Sequence, residues 1–133
     1  MKTKLLLDLD GVIANFYYGF SGFLNKNYGC TLDTDKEPSK YPFEEWGNGV
    51  GNIDFDAASK AWIDQGGFEQ LPTFDGAKSF VKELMSLYDV YIVTARIGDW
   101  EQKFPAATIN KIKKNTYGWL KKLNIPVTKL YFA

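Results

Sequence analysis

Short apolar runs alternate with longer amphipathic stretches along the chain, and this pattern predicts an α/β fold. Residues 4–9 form a mostly apolar run that ends at Asp10-Gly11, which predicts a buried strand that stops at a turn. The β-branched and aromatic residues 90–93 predict a second buried strand, and residues 127–132 a third. Because helical patterns separate these strands, we expect them to pair in parallel.

Two amphipathic helices are predicted between the strands. Residues 75–88 repeat apolar side chains at helical spacing, with Asp75 as the expected N-cap. Residues 108–123 do the same before Pro126 breaks the helix. The side chains expected to face the core are Ala77, Phe80, Val81, Leu84 and Leu87 in the first helix and Ile109, Ile112, Thr116, Trp119, Leu120 and Leu123 in the second.

A segment of about sixty residues separates the first strand from the first of these helices. Residues 12–28 predict an aromatic-rich helix, residues 29–56 are loop-like, and residues 55–65 predict a short helix before Gly66-Gly67. We therefore interpret residues 15–75 as an insertion after the first strand.

Composition narrows the classes of function. A chain of 133 residues that is 45% hydrophobic is long enough for one globular domain with a real core. No apolar run approaches the roughly 20 residues that span a bilayer, so no membrane contact is expected. The single cysteine, Cys30, favours a reducing, cytoplasmic setting. The absence of histidine excludes every mechanism and metal site that needs imidazole.

Charge is distributed unevenly although the formal net charge is zero. No acidic residue follows Glu101, whereas seven lysines do, and the only arginine of the chain is Arg96. Lysines within residues 111–122, near Tyr117 and Trp119, could contact nucleic acid. A solvated helix face explains them more simply, so nucleic-acid binding is the weaker interpretation.

Two carboxylates, Asp8 and Asp10, lie where the first strand is predicted to end. In a parallel sheet, ligands bind at the carboxyl ends of the strands. Alternation directs both side chains the same way while the strand lasts, and two close acids repel unless a cation such as Mg2+ lies between them. The alternative is that Asp10-Gly11 is only a turn and that Asp8 only caps a helix or a loop.

Four stretches together resemble one enzyme family. Residues 8–14 (DLDGVIA) resemble the first motif of the haloacid-dehalogenase-like (HAD) phosphohydrolases, and the closest resemblance is to the 5′(3′)-deoxyribonucleotidase group. Residues 67–77 resemble the link from cap to core of that group, and residues 91–96 (YIVTAR) resemble its second motif. Residues 119–126 resemble the helix and strand that follow.

The resemblance implies a Rossmann-like HAD core with a parallel sheet and a small, mainly helical cap inserted after strand one. The core would comprise residues 1–14 and 76–133, and the cap residues 15–75. Strand one would lie between strand two and a fourth strand. A third-motif lysine and fourth-motif aspartates are expected after strand three, where this sequence has no match. We expect a short variant, a fragment, or a chain completed by a second copy or another chain at the strand-one edge.

The resemblance also implies roles for individual residues. Asp8 would be the nucleophile, and Asp10 would be the general acid and then the general base. Mg2+ would be held by the Asp8 carboxylate and the Asp10 backbone carbonyl. Thr94 and the Ala95 amide would bind the phosphate.

Arg96, the next residue after Thr94 and Ala95, would be a bidentate phosphate ligand, since a guanidinium suits oxyanions better than an amine does. The alternative is a surface arginine that pairs with Asp99.

The cap would supply aromatic side chains that stack on a nucleobase. Phe16 and Phe43 are the first candidates, and the alternative is that they form the core of the cap. The remaining aromatic candidates are Tyr17, Trp46, Trp62 and Phe68.

The predicted function is Mg2+-dependent hydrolysis of a nucleoside monophosphate. Two alternatives are a related hydrolase for another small phosphate ester and a non-catalytic or partner-completed module that binds nucleotide or phosphate.

Overall fold

The structure is a computed structural model that describes residues 2–35, 53–98, 100–125 and 129–133. Phe43, Trp46 and Asp99 therefore lie outside the described residues, as do Pro126 and the predicted start of strand three. The secondary-structure elements are β1 Lys4–Leu7, α1 Phe16–Tyr28, α2 Phe55–Asp64, a 3-10 helix Gly67–Gln70, α3 Ala77–Leu87, β2 Asp89–Thr94, α4 Trp100–Lys103, α5 Ala106–Lys122 and β3 Leu130–Phe132.

The described strands form one parallel sheet in the order β1-β2-β3. Leu7 pairs with Ile92, and Ile92 also pairs with Leu130. The prediction of an α/β fold with a parallel sheet is therefore confirmed. Both crossovers step in the same direction across the sheet. Because crossovers between parallel strands are right-handed in nearly all proteins, α3 and α5 are expected on the same face.

The opposite face of the sheet is open in the described part of the chain, and this corrects the prediction of a buried first strand. Leu6 is 70% exposed and Tyr131 is 54% exposed, whereas Leu7 and Ile92 on the helix-covered face are buried. Within the described residues β1 pairs only with β2, so β1 is an edge strand. Pairing of this edge with a second copy or another chain stays a prediction.

Helix α3 buries a narrower face than its sequence pattern predicts. Ala77 and Val81 are buried, but Phe80 and Leu87 are 51% and 59% exposed. Val81 lines a groove between α3 and the residues that follow α5, and neither Phe80 nor Leu87 lines that groove. Gly76, in a left-handed conformation, occupies the N-cap position that was predicted for Asp75.

Helix α5 follows its prediction closely and anchors the inserted segment. Five of the six side chains predicted to face the core are buried, and the sixth, Leu123 at the C-cap, is half-buried. The indole Nε1 of Trp119 donates a hydrogen bond of 2.7 Å to the carbonyl oxygen of Leu71. This bond joins α5 to the chain that leaves the 3-10 helix. The buried α5 side chains are Thr108, Ile109, Ile112, Asn115, Thr116, Trp119 and Leu120.

An aromatic cluster joins α1, α2 and the 3-10 helix. The ring of Trp62 lies 5.4 Å from the rings of Phe16 and Phe20 and 4.8 Å from that of Phe68, measured between centroids. The hydrophobic core that contains these rings also includes side chains of the sheet and of α5. The division into a cap of residues 15–75 and a core stays a prediction. No helix within the described ranges is long and apolar enough to cross a membrane.

Asp64 at the end of α2 is predicted to stabilise the contact with α5. Its carboxylate accepts from Lys60 at 2.6 Å and from the Thr108 hydroxyl at 3.3 Å, and Lys111 lies 3.5 Å away. The hydrogen bond from Lys60 is the main reason that the pKa of Asp64 lies below its usual value; burial opposes it and Lys111 adds to it.

Asp64→Asn is expected to lower the free energy of unfolding by only about 1 kcal/mol at neutral pH. The loss is small because both lysines are substantially exposed. Since the folded pKa is lowered, this contribution is complete above about pH 4, the usual carboxyl pKa, and is lost as the pH falls through the folded pKa. Urea denaturation at pH 7 and pH 3 measures it. A difference that is undiminished at pH 3 would show that the effect is not ionic.

Candidate functional site

The predicted site residues lie at the carboxyl end of the sheet. Asp8 directly follows Leu7, the last residue of β1, and Leu7 pairs with Ile92, two residues before Thr94 ends β2. Asp8 is exposed, and its Oδ1 accepts a hydrogen bond of 2.7 Å from the backbone N–H of Leu9. This local bond is the loop-capping contact of the simpler alternative.

A tight turn after Asp8 determines the direction of Asp10. The carbonyl oxygen of Leu9 accepts from the N–H groups of Val12, Ile13 and Ala14 at 3.2, 2.9 and 2.9 Å. Gly11 makes the turn possible with φ of 79°, a backbone conformation that a side chain would strain. Because β1 ends at Leu7, strand alternation does not extend to Asp10, and the turn rather than the strand orients its carboxylate.

The carboxylate of Asp10 is held by the guanidinium of Arg96. Nε donates to Oδ2 at 3.0 Å, and Nη2 donates to Oδ1 at 2.8 Å. The Arg96 side chain has no exposed area, whereas 30% of the Asp10 side chain is exposed. The pair therefore joins the turn after β1 to the loop after β2, with one side of the carboxylate open to solvent.

Three further side chains surround Arg96. Its Nη1 donates to the hydroxyl oxygen of Thr116 on α5 at 3.0 Å. The guanidinium carbon lies 4.4 Å from the centre of the Phe68 ring and 5.9 Å from that of Trp119. The alternative of a surface arginine is therefore wrong, because Arg96 is buried. Phosphate binding by Arg96 stays a prediction.

Thr94 and Ala95 lie at the end of β2, where the second-motif resemblance places them. Thr94 is buried, and its hydroxyl oxygen accepts from the backbone N–H of Arg96 at 3.3 Å. The hydroxyl keeps its own hydrogen for donation to an acceptor. Ala95 is exposed. Their binding of phosphate stays a prediction.

Phe16 lies near this site through the aromatic cluster. It begins α1, is half-buried, and its ring centroid lies 6.1 Å from that of Phe68, the ring beneath Arg96. Phe16 therefore packs within the cluster, and a second role in stacking a base stays a prediction. The same prediction for Phe43 falls outside the described residues.

Sequence reasoning missed the contacts of Arg96 with Asp10, Thr116 and Phe68. Thr116 carried a detectable signal, because it is a polar residue in the middle of the apolar face predicted for residues 108–123. A buried hydroxyl needs a partner, and the only arginine of the chain was a candidate. The position of Phe68 carried no such signal.

The described residues could supply only part of the ligands of a Mg2+ ion, and substrate and water would supply the others. Asp8 offers one exposed carboxylate, and the Asp10 backbone carbonyl is the second ligand implied by the resemblance. Mg2+ commonly binds one or two carboxylates together with a phosphate and water, so this pair is compatible with it. Among the described residues no three Cys, Asp or Glu side chains form a metal-binding group.

Lys129 lies at the other end of the sheet from these residues. It directly precedes β3 and pairs with Asp89, the first residue of β2. Its hydrogen bond lowers the pKa of Asp89, and the Asp89 carboxylate raises the pKa of Lys129. Lys129 is therefore not the third-motif lysine that the resemblance implies.

No protein-family model matches this chain, and no curated protein matches it significantly.

Proposed function

We propose that the protein is a Mg2+-dependent phosphatase with a Rossmann-like HAD core that hydrolyses (deoxy)nucleoside monophosphates in the cytoplasm. The observation that carries the proposal is the pair of aspartates after β1, with Asp8 exposed and Asp10 bonded to a buried arginine. A turn with only a structural role would not require a fully buried guanidinium to pair with its carboxylate, because burying a charge is costly.

In the proposed reaction an oxygen of the Asp8 carboxylate attacks phosphorus, and the bond from phosphorus to the ester oxygen breaks. Asp10 must carry a proton when this bond breaks, and it gives that proton to the departing alcohol. The resulting aspartyl-phosphate is hydrolysed by a water molecule whose proton returns to Asp10, so that Asp8 and phosphate are released. Mg2+, when bound, neutralises phosphate charge that would otherwise repel the Asp8 carboxylate.

Binding of substrate is assigned to the end of β2 and to the inserted segment. The Thr94 hydroxyl and the Ala95 amide are the proposed donors to the phosphate, since amides and hydroxyls at a strand-to-helix turn suit an anion. Phe16 and Phe43 are the proposed contacts to the base. A completing chain or a second copy at β1 is the proposed source of the further lysine and acidic groups.

Phosphate release from a panel of deoxynucleoside and nucleoside monophosphates, with and without Mg2+, tests the proposal. We expect turnover that EDTA abolishes and added Mg2+ restores. Turnover only of non-nucleotide esters would favour the related phosphohydrolase. Saturable nucleotide binding without turnover would contradict the proposed enzyme and favour the binding module.

A further inference from the structure

The contact between Asp10 and Arg96 has the geometry of a positioning device. The turn after β1 sets the direction of the Asp10 side chain but does not by itself fix the plane of its carboxylate. The guanidinium donates to both carboxylate oxygens, from Nε to Oδ2 at 3.0 Å and from Nη2 to Oδ1 at 2.8 Å. Nε also lies 3.3 Å from Oδ1. Two parallel hydrogen bonds fix the plane of the carboxylate as well as its position.

Arg96 is itself held on three other sides. Nη1 donates a hydrogen bond to the Thr116 hydroxyl. The centres of the Phe68 and Trp119 rings lie 4.4 and 5.9 Å from the guanidinium carbon. The side chain has no exposed area. A phosphate that entered from solvent would meet the exposed side of Asp10 before it met the guanidinium.

We propose that Arg96 is the positioning residue of Asp10 and not a ligand of the substrate phosphate. The proposal rests on the proposed function, in which Asp10 transfers the proton. Proton transfer requires the carboxylate within hydrogen-bond reach of the departing oxygen, and a misplacement of about 1 Å can lower the rate about 100-fold. Thr116 on α5 and Phe68 on the 3-10 helix then contribute to catalysis through Arg96.

Arg96→Lys tests the positioning role because lysine keeps the charge but lacks the planar pair of donors. We expect kcat for a nucleoside monophosphate to fall about 100-fold. Competitive inhibition by inorganic phosphate is expected to stay unchanged, because phosphate does not contact Arg96. A phosphate-inhibition constant that rises in step with the fall of kcat/KM would overturn the proposal and make Arg96 a phosphate ligand.

Two more variants separate positioning from loss of folding. Thr116→Val removes one anchor of Arg96 without changing charge or volume much, and it is expected to lower kcat less than Arg96→Lys does, again without affecting phosphate inhibition. Lys129→Met is the matched control, because it removes a cation that pairs with an aspartate at the opposite end of the sheet. Its kcat is expected to equal that of the wild type.

A readout without substrate keeps this proposal distinct from the proposed function. The side-chain carboxyl 13C resonance of Asp10, assigned with Asp10→Asn, is expected to shift in Arg96→Lys and to stay in place in Lys129→Met. An unshifted resonance, or full turnover in Arg96→Lys, would overturn the positioning role alone. No turnover in the wild type, with the resonance shift present, would overturn the proposed function and the catalytic reason for the contact.

Discussion

Asp8→Asn is expected to lower phosphate release by about 1,000-fold or more, with little change in the free energy of unfolding. Removal of a covalent nucleophile from a hydrolase has effects of this size or larger. Asparagine keeps the shape of the side chain, but its amide does not attack phosphorus. The fold is expected to tolerate the change because Asp8 is exposed and the asparagine oxygen can still accept from the N–H of Leu9.

Initial rates of phosphate release, with urea denaturation of the same samples, measure both expectations. Asp33→Asn is a matched control, since Asp33 is also exposed and its Oδ1 accepts from a nearby backbone N–H, that of Asp35, at 3.0 Å. Asp33→Asn is expected to retain full turnover. Wild-type rates in Asp8→Asn would contradict the covalent mechanism, and a loss in both variants would indicate a general effect of charge.

An element of the fold was predicted correctly where its apolar face is buried and its polar face is exposed to solvent. Helix α5 has an apolar face against the 3-10 helix and a lysine-rich face toward solvent, so its pattern and its burial agree. The burial of the Leu-rich β1 was overestimated because hydrophobicity does not tell which face of a strand is covered. Leu6 is 70% exposed because its side chain lies on the opposite face from Leu7 and Ile92, which are buried. Phe80 and Leu87 are exposed for a related reason, because only the narrow face of α3 that contains Ala77 and Val81 is buried.

The candidate site was predictable in its location and not in its contacts. Parallel strands end at one edge, so Asp8, Asp10 and Thr94 were expected there from the strand pattern alone. The bonds from Arg96 to Asp10 join residues 86 positions apart in the chain, and the spacing of neither motif contains them. The burial of Arg96 depends on where the 3-10 helix places Phe68, which is a result of tertiary packing.

Gly67 illustrates how closely that packing is fitted, and Gly67→Ala is expected to cost about 3 kcal/mol of unfolding free energy. A Cβ at Gly67 would lie 2.2 to 2.4 Å from three atoms of the Trp62 indole. Trp62 is buried between Phe16, Phe20 and Phe68, so its ring cannot move without displacing the cluster. The cost is steric, because the left-handed conformation belongs to the preceding Gly66.

Gly118→Ala separates this steric clash from the general effect of adding a methyl group. Gly118 lies inside α5, where alanine is favoured over glycine by up to about 1 kcal/mol. Its Cβ would lie 2.5 Å from Glu69 Oε1, the end of a partly exposed side chain that can rotate away. We therefore expect Gly118→Ala to be neutral or stabilising.

Urea denaturation of the two alanine variants measures the difference, and the position of Gly67 links it to the site. The next residue, Phe68, lies beneath the guanidinium of Arg96, so a displaced cluster also displaces the partner of Asp10. Turnover of Gly67→Ala is therefore expected to fall even at temperatures where the variant remains folded. Equal stability of the two variants would show that the Trp62 ring moves freely, and the aromatic cluster would then not hold Arg96 in place.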